Sequence, residues 1–262
     1  MRDILDLDQF PLDRPGSPEW QDLVDRCRTD LERDGMFNLH ELMHPNVAQK
    51  TAKSLSPSFA TQSFRHERDH NIYFQDKIDG LADDHPALTR FKTSNLTLCA
   101  DQLGGSALLR LYDWPEFATF MAATMGKEDL FTMSDPLARV NVMSYCEGQE
   151  LNWHFDRSEF TTTMLMQAPD QGGEFIYRTG LRSDDDPNYD GVARMLRGDD
   201  PDVQSITLSP GTLNIFRGKN TPHRVGTVKG ETPRVIAVFS FFDRPGVTFT
   251  PKDQIGFYGR AA

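Results

Sequence analysis

Apolar positions recur at helical spacing through the first half of the chain and in short strand-like runs through the second. Ser17-Pro18-Glu19 supplies an N-cap, a proline suited to a first helical turn and a first-turn acid. Trp20, Leu23, Val24, Cys27 and Leu31 then follow at helical intervals up to Asp34-Gly35, which predicts a helix. Residues 86–103 read similarly, opening at Pro86, carrying Leu88, Phe91, Leu98 and Leu103, and stopping before Gly104-Gly105. A third helix is predicted from Trp114 to Met125, ended by Gly126.

From about Ala138 the grammar changes. Residues 139–145, 160–167, 174–177, 205–208, 212–216 and 234–242 are short β-branched or aromatic runs, separated by turn clusters such as Gln171-Gly172-Gly173 and Ser209-Pro210-Gly211. This pattern predicts an antiparallel sandwich or jelly roll. The expected architecture is mostly β with α in one domain, residues 1–262: a helical wrap over 1–135 and a jelly-roll core over 136–262. Residues 182–202 hold seven Asp in 21 positions and read as a solvated insertion, and the charged run 65–71 reads as a solvated loop.

Composition narrows the function. The 262 residues carry 28 Lys+Arg against 39 Asp+Glu, a formal charge of −11, so there is no broad cationic footprint for nucleic acid or an anionic membrane. With 38% apolar residues a true core can form. The longest apolar run, 235–242, is interrupted by Ser240 and falls far short of the ~20 residues of a membrane helix. The opening MRDILDLDQF lacks the basic start and continuous apolar stretch of a secretory signal. Cys27, Cys99 and Cys146 are scattered, odd in number and without CxxC spacing, so a reducing cytoplasm is the expected location.

The candidate chemistry lies in His154-Phe155-Asp156, His223 and Arg234. On a strand, positions i and i+2 face the same way, so His154 and Asp156 can offer an imidazole and a carboxylate to one ion. His223 follows 69 residues after His154, in a β-rich region that can fold back beside the pair. Two His and one carboxylate on one face of an octahedral ion leave positions open for oxygen and a cosubstrate. Arg234, heading a strand-like run, can hold a carboxylate bidentately, and the Tyr145 hydroxyl can donate to the same cosubstrate.

In order, Tyr145-x-x-Gly148, His154-x-Asp156, Gly172-Gly173, Pro210-Gly211-x-Leu213-x-x-Phe216, His223 and Arg234 resemble the Fe(II)/2-oxoglutarate-dependent dioxygenases. Asp186-Pro187-Asn188-Tyr189-Asp190, residues 213–218, His223-Arg224-Val225 and Phe257-Tyr258-Gly259-Arg260 look like the group of BesD/HalD-type amino-acid halogenases and their hydroxylating relatives. The likeness runs over roughly 65–260. It implies a double-stranded β-helix (cupin-like jelly roll), with His154, Asp156 and His223 as iron ligands and Arg234, helped by Tyr145, as the 2-oxoglutarate anchor. It also implies Fe(II), 2-oxoglutarate and O2 as cofactors. Halogenases of this group carry a small residue where this chain has Asp156, so the resemblance implies hydroxylation of an unactivated C–H in a small polar substrate, a free amino acid or derivative. Desaturation or cyclisation would use the same residues.

Arg68 is the candidate clamp for a substrate carboxylate, Arg157 a candidate beside the ligands, and Tyr258 with Phe257 a candidate C-terminal cover. His40, His44, His66, His70 and His85 are expected in surface or capping roles, and Trp114 and Trp153 in the core. Two other classes fit the ligands alone: a non-catalytic jelly-roll sensor of iron or a small ligand, and a zinc hydrolase. A mere metal sensor has no need of Arg234, and no HExxH helix supplies a hydrolase base.

Overall fold

The computed structural model describes residues 1–262. The first half runs α1 (Pro18–Asp34), β1 (Met36–Leu39), α2 (Pro45–Gln62), β2 (Phe64–His70), β3 (Phe91–Leu98), α3 (Ala107–Tyr112), α4 (Pro115–Thr124) and β4 (Phe131–Thr132). The second runs β5 (Val140–Tyr145), β6 (Leu151–His154), β7 (Thr161–Gln167), β8 (Phe175–Tyr177), α5 (Tyr189–Leu196), β9 (Gln204–Ile206), β10 (Leu213–Phe216), β11 (His223–Val225), β12 (Arg234–Phe239), β13 (Phe241–Phe242) and α6 (Pro251–Tyr258).

The helix signals of α1 act as expected: Ser17 Oγ accepts from the Trp20 amide at 3.2 Å, and Gly35 ends the helix in the left-handed conformation. Its buried stripe is Trp20, Leu23, Val24, Cys27 and Leu31. Helix α4 matches the third predicted helix, while Trp114 at its cap is only half-buried.

Two antiparallel sheets form the jelly roll. The larger has the order β1-β10-β7-β12-β5-β3-β2, and the smaller β6-β11-β8-β9. Alternation along the larger sheet divides its residues between two environments. Val140, Val142, Met164, Met166, Leu213, Ile215, Val235, Ala237 and Phe239 face the helices and join the main core with Leu23, Leu55, Leu111 and Phe117. The intervening residues, among them Asn141, Tyr145, Thr163, Asn214 and Arg234, line a cavity on the other face.

Three expectations are corrected. Residues 86–103 form one short 3₁₀ turn (Pro86–Leu88), strand β3 and a second turn, because Thr93, Asn95 and Thr97 alternate with Leu96 and Leu98 and face the polar cavity. The charged run 65–71 is an edge strand, β2, paired along its whole length with β3, so strands of the N-terminal half complete the large sheet. The acidic stretch 182–202 contains α5, whose Val192, Ala193 and Met195 are buried; Val192 and Met195 pack with Ile72, Trp153 and Phe155.

The C-terminal α6 is tied to the head of β5 through Asp135. This carboxylate, fully buried, accepts from the amides of Leu137, Ala138 and Phe249 and from Gln254 Nε2, all at 2.8–2.9 Å. Burial alone would raise the Asp135 carboxyl, but these hydrogen bonds outweigh it and hold it below the usual carboxylate range. Asp135→Ala is expected to cost about 3 kcal/mol in chemical denaturation, since several buried donors lose their acceptor. Because the folded value is depressed, this contribution is present above the unfolded carboxyl value and is lost as pH falls through the folded one. The urea midpoint of the variant should therefore differ most from wild type near neutral pH and converge with it in acid.

Candidate active site

The cavity between the sheets has a volume of about 360 Å³, in the range of small-molecule sites. Its lining includes every residue singled out in the sequence: His154, Asp156, His223, Arg234, Tyr145, Arg68, Arg157 and Tyr258. A larger surface hollow of about 500 Å³, beside Trp20 and α4, contains no comparable cluster.

His154 ends β6 and His223 begins β11, and the two are directly opposed across the antiparallel pair. The 69-residue separation is thus closed by cross-strand pairing, with ring centroids 4.2 Å apart. Asp156 lies two residues beyond His154, past the strand end, where its amide donates to the Gly218 carbonyl at 3.1 Å. Its Oδ1 is 3.4 Å from His154 Nε2 and its Oδ2 3.5 Å from His223 Nε2. One ligand atom from each of the three residues lies within 4.8 Å of the others, a spacing that can close on one metal ion.

The surroundings fit a metal. His154 Nδ1–H donates to the Asn152 carbonyl at 2.8 Å and His223 Nδ1–H to the Thr221 carbonyl at 3.0 Å, a tautomer assigned from these partners that turns both Nε2 lone pairs inward. Burial and the neighbouring His154 push the His223 imidazole down to about 4, so it is neutral at pH 7. For Asp156, burial opposes ionisation, but the adjacent His223 and His154 and the hydrogen bond from Thr161 prevail, and the carboxyl is held well below its usual range. Thr161 Oγ1 donates to Asp156 Oδ2 at 2.5 Å. Gly218 leaves the room: a Cβ there would collide with Asp156 Oδ2 and Thr161 Oγ1.

Arg234 fits an anionic cosubstrate. It is 2% exposed at the head of β12, opposite Tyr145 in the strand register, and its Nη1 has no hydrogen-bond partner. Burial pushes the guanidinium down to about 10, so it stays charged at neutral pH. An unpaired buried cation is costly, and its fork geometry matches a carboxylate. The left-handed Gly173 leaves space for its stem, since a Cβ there would sit 3.0 Å from Arg234 Cδ. The Tyr145 hydroxyl donates weakly to Met143 Sδ at 3.6 Å beside Asn95, and burial pushes it up to about 12, so it stays a neutral hydroxyl that a ligand oxygen can draw on.

At the mouth, Arg68 lies on the inward face of β2 with no acidic partner in ion-pair reach, whereas Arg157 lies 3.7 Å from Asp253 and over the Phe257 ring. The Tyr258 hydroxyl donates to Asn141 Oδ1 at 2.9 Å, so this residue is a fixed wall. His66 and His70 face the cavity from β2, correcting their expected surface roles; His70 is buried with Nε2 2.9 Å from Thr93 Oγ1. His85 caps a 3₁₀ turn through Ala87, as expected. Asn95, Thr97, Asn141 and Asn214 also line the site unforeseen; Asn141 and Asn214 carried a signal, a polar residue inside an otherwise apolar strand, whereas Asn95 and Thr97 lie on the largely polar β3.

Fold and donor set together are those of a 2-oxoglutarate-dependent non-haem iron oxygenase, an enzyme that works with Fe(II), 2-oxoglutarate and O2. Comparison of sequences refines the class. The model of the family described as halogenase D matches residues 20–248, and the chain belongs to that family. The match begins earlier than the motifs, taking in α1. No curated protein matches the chain in sequence.

Solved structures share the fold. An oxidoreductase of the 2OG-Fe(II) oxygenase family from Burkholderia pseudomallei is 12% identical, with 89% of this chain and 94% of that one covered and a TM-score of 0.51. The epimerase SnoN, solved in complex with Fe3+, alpha ketoglutarate and nogalamycin RO, is 15% identical over 85% of this chain and 84% of that one, with a TM-score of 0.55. AviO1 from Streptomyces viridochromogenes Tue57 is 17% identical over 85% and 96%, with a TM-score of 0.55. No helix of this chain is long and apolar enough to cross a membrane.

Proposed function

We propose that the chain hydroxylates an unactivated C–H of a small polar substrate, a free amino acid or close derivative, without halogenating it. In this reading His154, Asp156 and His223 hold the iron, and Arg234 with Tyr145 holds 2-oxoglutarate. The oxidising power comes from the cofactor set, with 2-oxoglutarate converted to succinate and carbon dioxide. The residues bind and orient the substrate and keep water from the reacting carbon. The chain acts in this reading as one oxygenase domain, and its three free cysteines fit a cytoplasmic location.

The observation that carries the choice of hydroxylation is the built-in place of Asp156. Thr161 donates to its carboxylate and the Gly218 carbonyl accepts from its amide, which sets the carboxylate against both histidines, so the position a halide would need is occupied and already anionic. The substrate class is argued from charge. Asp156 is the only acid in the lining; besides the histidines, Arg234 in the interior and Arg157 beside Asp253, the walls are amides, hydroxyls and apolar groups, with Arg68 at the mouth. A substrate carboxylate has a partner in Arg68, whereas the ammonium of a lysine side chain has no acid to meet.

Incubation of the Fe(II)-loaded enzyme with 2-oxoglutarate, O2, excess chloride and a panel of free amino acids tests this by mass spectrometry. The expected product gains one oxygen, and Arg68→Ala should raise its substrate KM by about tenfold or more. A mainly chlorinated product would contradict the reading, and a loss of two hydrogens would redirect it to desaturation or ring closure.

A further inference from the structure

Phe74 stands out among the residues lining the cavity. It is a large apolar side chain left 40% exposed, and its backbone lies in the left-handed region at φ 55°, where a bulky residue is strained. The loop around it is nevertheless firmly built. Asn71 Oδ1 accepts from the amides of Tyr73 at 3.1 Å and Gln75 at 3.2 Å. Ile72 is fully buried, and its carbonyl accepts from the Phe155 amide, between His154 and Asp156. The Tyr73 hydroxyl donates to the Pro187 carbonyl at 2.8 Å, and its ring packs on Phe155 at 5.6 Å. The anchoring on both sides of Phe74 holds its ring in the cavity mouth.

The ring meets both halves of the site. It stacks on His70 at 4.5 Å with 22° between planes, and the Arg68 guanidinium carbon lies 4.6 Å from its centroid. Toward the interior it meets His154 edge-on at 6.1 Å. One aromatic ring is therefore in reach of the only lining guanidinium at the mouth without an acidic partner and of a metal-binding histidine. A glycine would relieve the backbone strain at this position, and that relief offsets part of what the half-buried ring contributes through its contacts with His70, His154 and Arg68.

We propose that Phe74 is a specificity-determining residue: its ring pins Arg68 and forms the wall along which a substrate held by its carboxylate extends toward the metal-binding histidines, fixing which carbon is presented. This rests on the reading of the site given under Proposed function. An aromatic face suits the aliphatic carbons of such a substrate, while its cation–π contact holds the guanidinium in one place. Without the ring, Arg68 is free to swing and the same carboxylate can seat its chain at more than one depth.

Phe74→Gly and Phe74→Leu test the proposal through two independent readouts, melting of the metal-free protein and product analysis with Fe(II), 2-oxoglutarate and the twenty free amino acids as probes. The glycine variant is expected to melt no more than about 5 °C below wild type, because strain relief offsets part of the lost ring contacts and the added backbone freedom. Its ratio of oxidised amino acid to succinate should fall by at least about tenfold, with oxygen spread over more than one carbon, and Phe74→Leu should be intermediate. A glycine variant that melts several degrees lower yet keeps the ratio and the site of oxidation would make the ring structural and overturn the proposal. So would unchanged melting with an unchanged product. A wild type that forms no succinate would instead refute the iron and 2-oxoglutarate assignment, and one that forms succinate but oxidises no member of the panel would refute the amino-acid reading; the proposal falls in either case.

Discussion

His154→Ala and His223→Ala should each fold, yet bind Fe(II) at least about a hundredfold more weakly than wild type, because one of three protein ligands is lost and solvent takes its place. Both imidazoles are buried and oriented by backbone carbonyls, and neither has a nearby substitute: the lining offers no further carboxylate, and His70 is engaged with Thr93. Metal analysis after gel filtration in limiting Fe(II) checks this directly. Wild-type iron content in either variant would mean that the ligands lie elsewhere. Far-UV circular dichroism of the same samples separates metal loss from unfolding.

The second large effect concerns Arg234. Arg234→Leu is expected to weaken 2-oxoglutarate by about 2–5 kcal/mol, roughly 30-fold to several thousandfold, since a charge-assisted pair with a carboxylate is removed from a buried site. The same substitution should leave Fe(II) binding nearly unchanged and make the ligand-free chain more stable by about 1–4 kcal/mol, because an unpaired buried guanidinium is replaced by an apolar side chain. These opposite signs distinguish a ligand anchor from an arginine that holds the fold. Isothermal titration with 2-oxoglutarate and a urea melt without it provide the two numbers. Equal losses of stability and of affinity would assign Arg234 to structure.

The clustering of the candidate residues was legible because the proposed chemistry calls for rare residue types at fixed spacing. His154-x-Asp156, His223 and Arg234 were visible as a set, and pairing of β6 with β11 and of β5 with β12 brings that set together. The jelly-roll strands after Ala138 were legible for the same reason as any half-apolar strand, since apolar residues alternate toward the helices. What failed were β2 and β3. Their inward side chains are His66, Arg68, His70, Thr93, Asn95 and Thr97, which face a polar cavity, so the usual rule of apolar inside and polar outside does not hold for them. Arg65 to Asn71 therefore resembled a solvated loop, and the sparse apolar residues of 86–103 resembled a helix.

Helix α5 was hidden differently, its short buried stripe outweighed by the aspartates around it. Phe74 carried no signal at all. A phenylalanine in a polar loop is ordinary in sequence, and only its left-handed backbone and the stack with His70 and Arg68 set it apart. Gly218 was likewise silent, because what it accommodates is a carboxylate 62 residues earlier in the chain.

The central claim is that His154, Asp156, His223 and Arg234 form one composite site for iron and 2-oxoglutarate. Anaerobic titration of 2-oxoglutarate into the Fe(II)-loaded protein, followed by the visible charge-transfer band of the cosubstrate on the metal, tests it most directly. The account predicts a saturable band in wild type, no band in His223→Ala, and in Arg234→Leu the same band only at far higher 2-oxoglutarate. A wild type without the band, or a band unchanged in both variants, would contradict it.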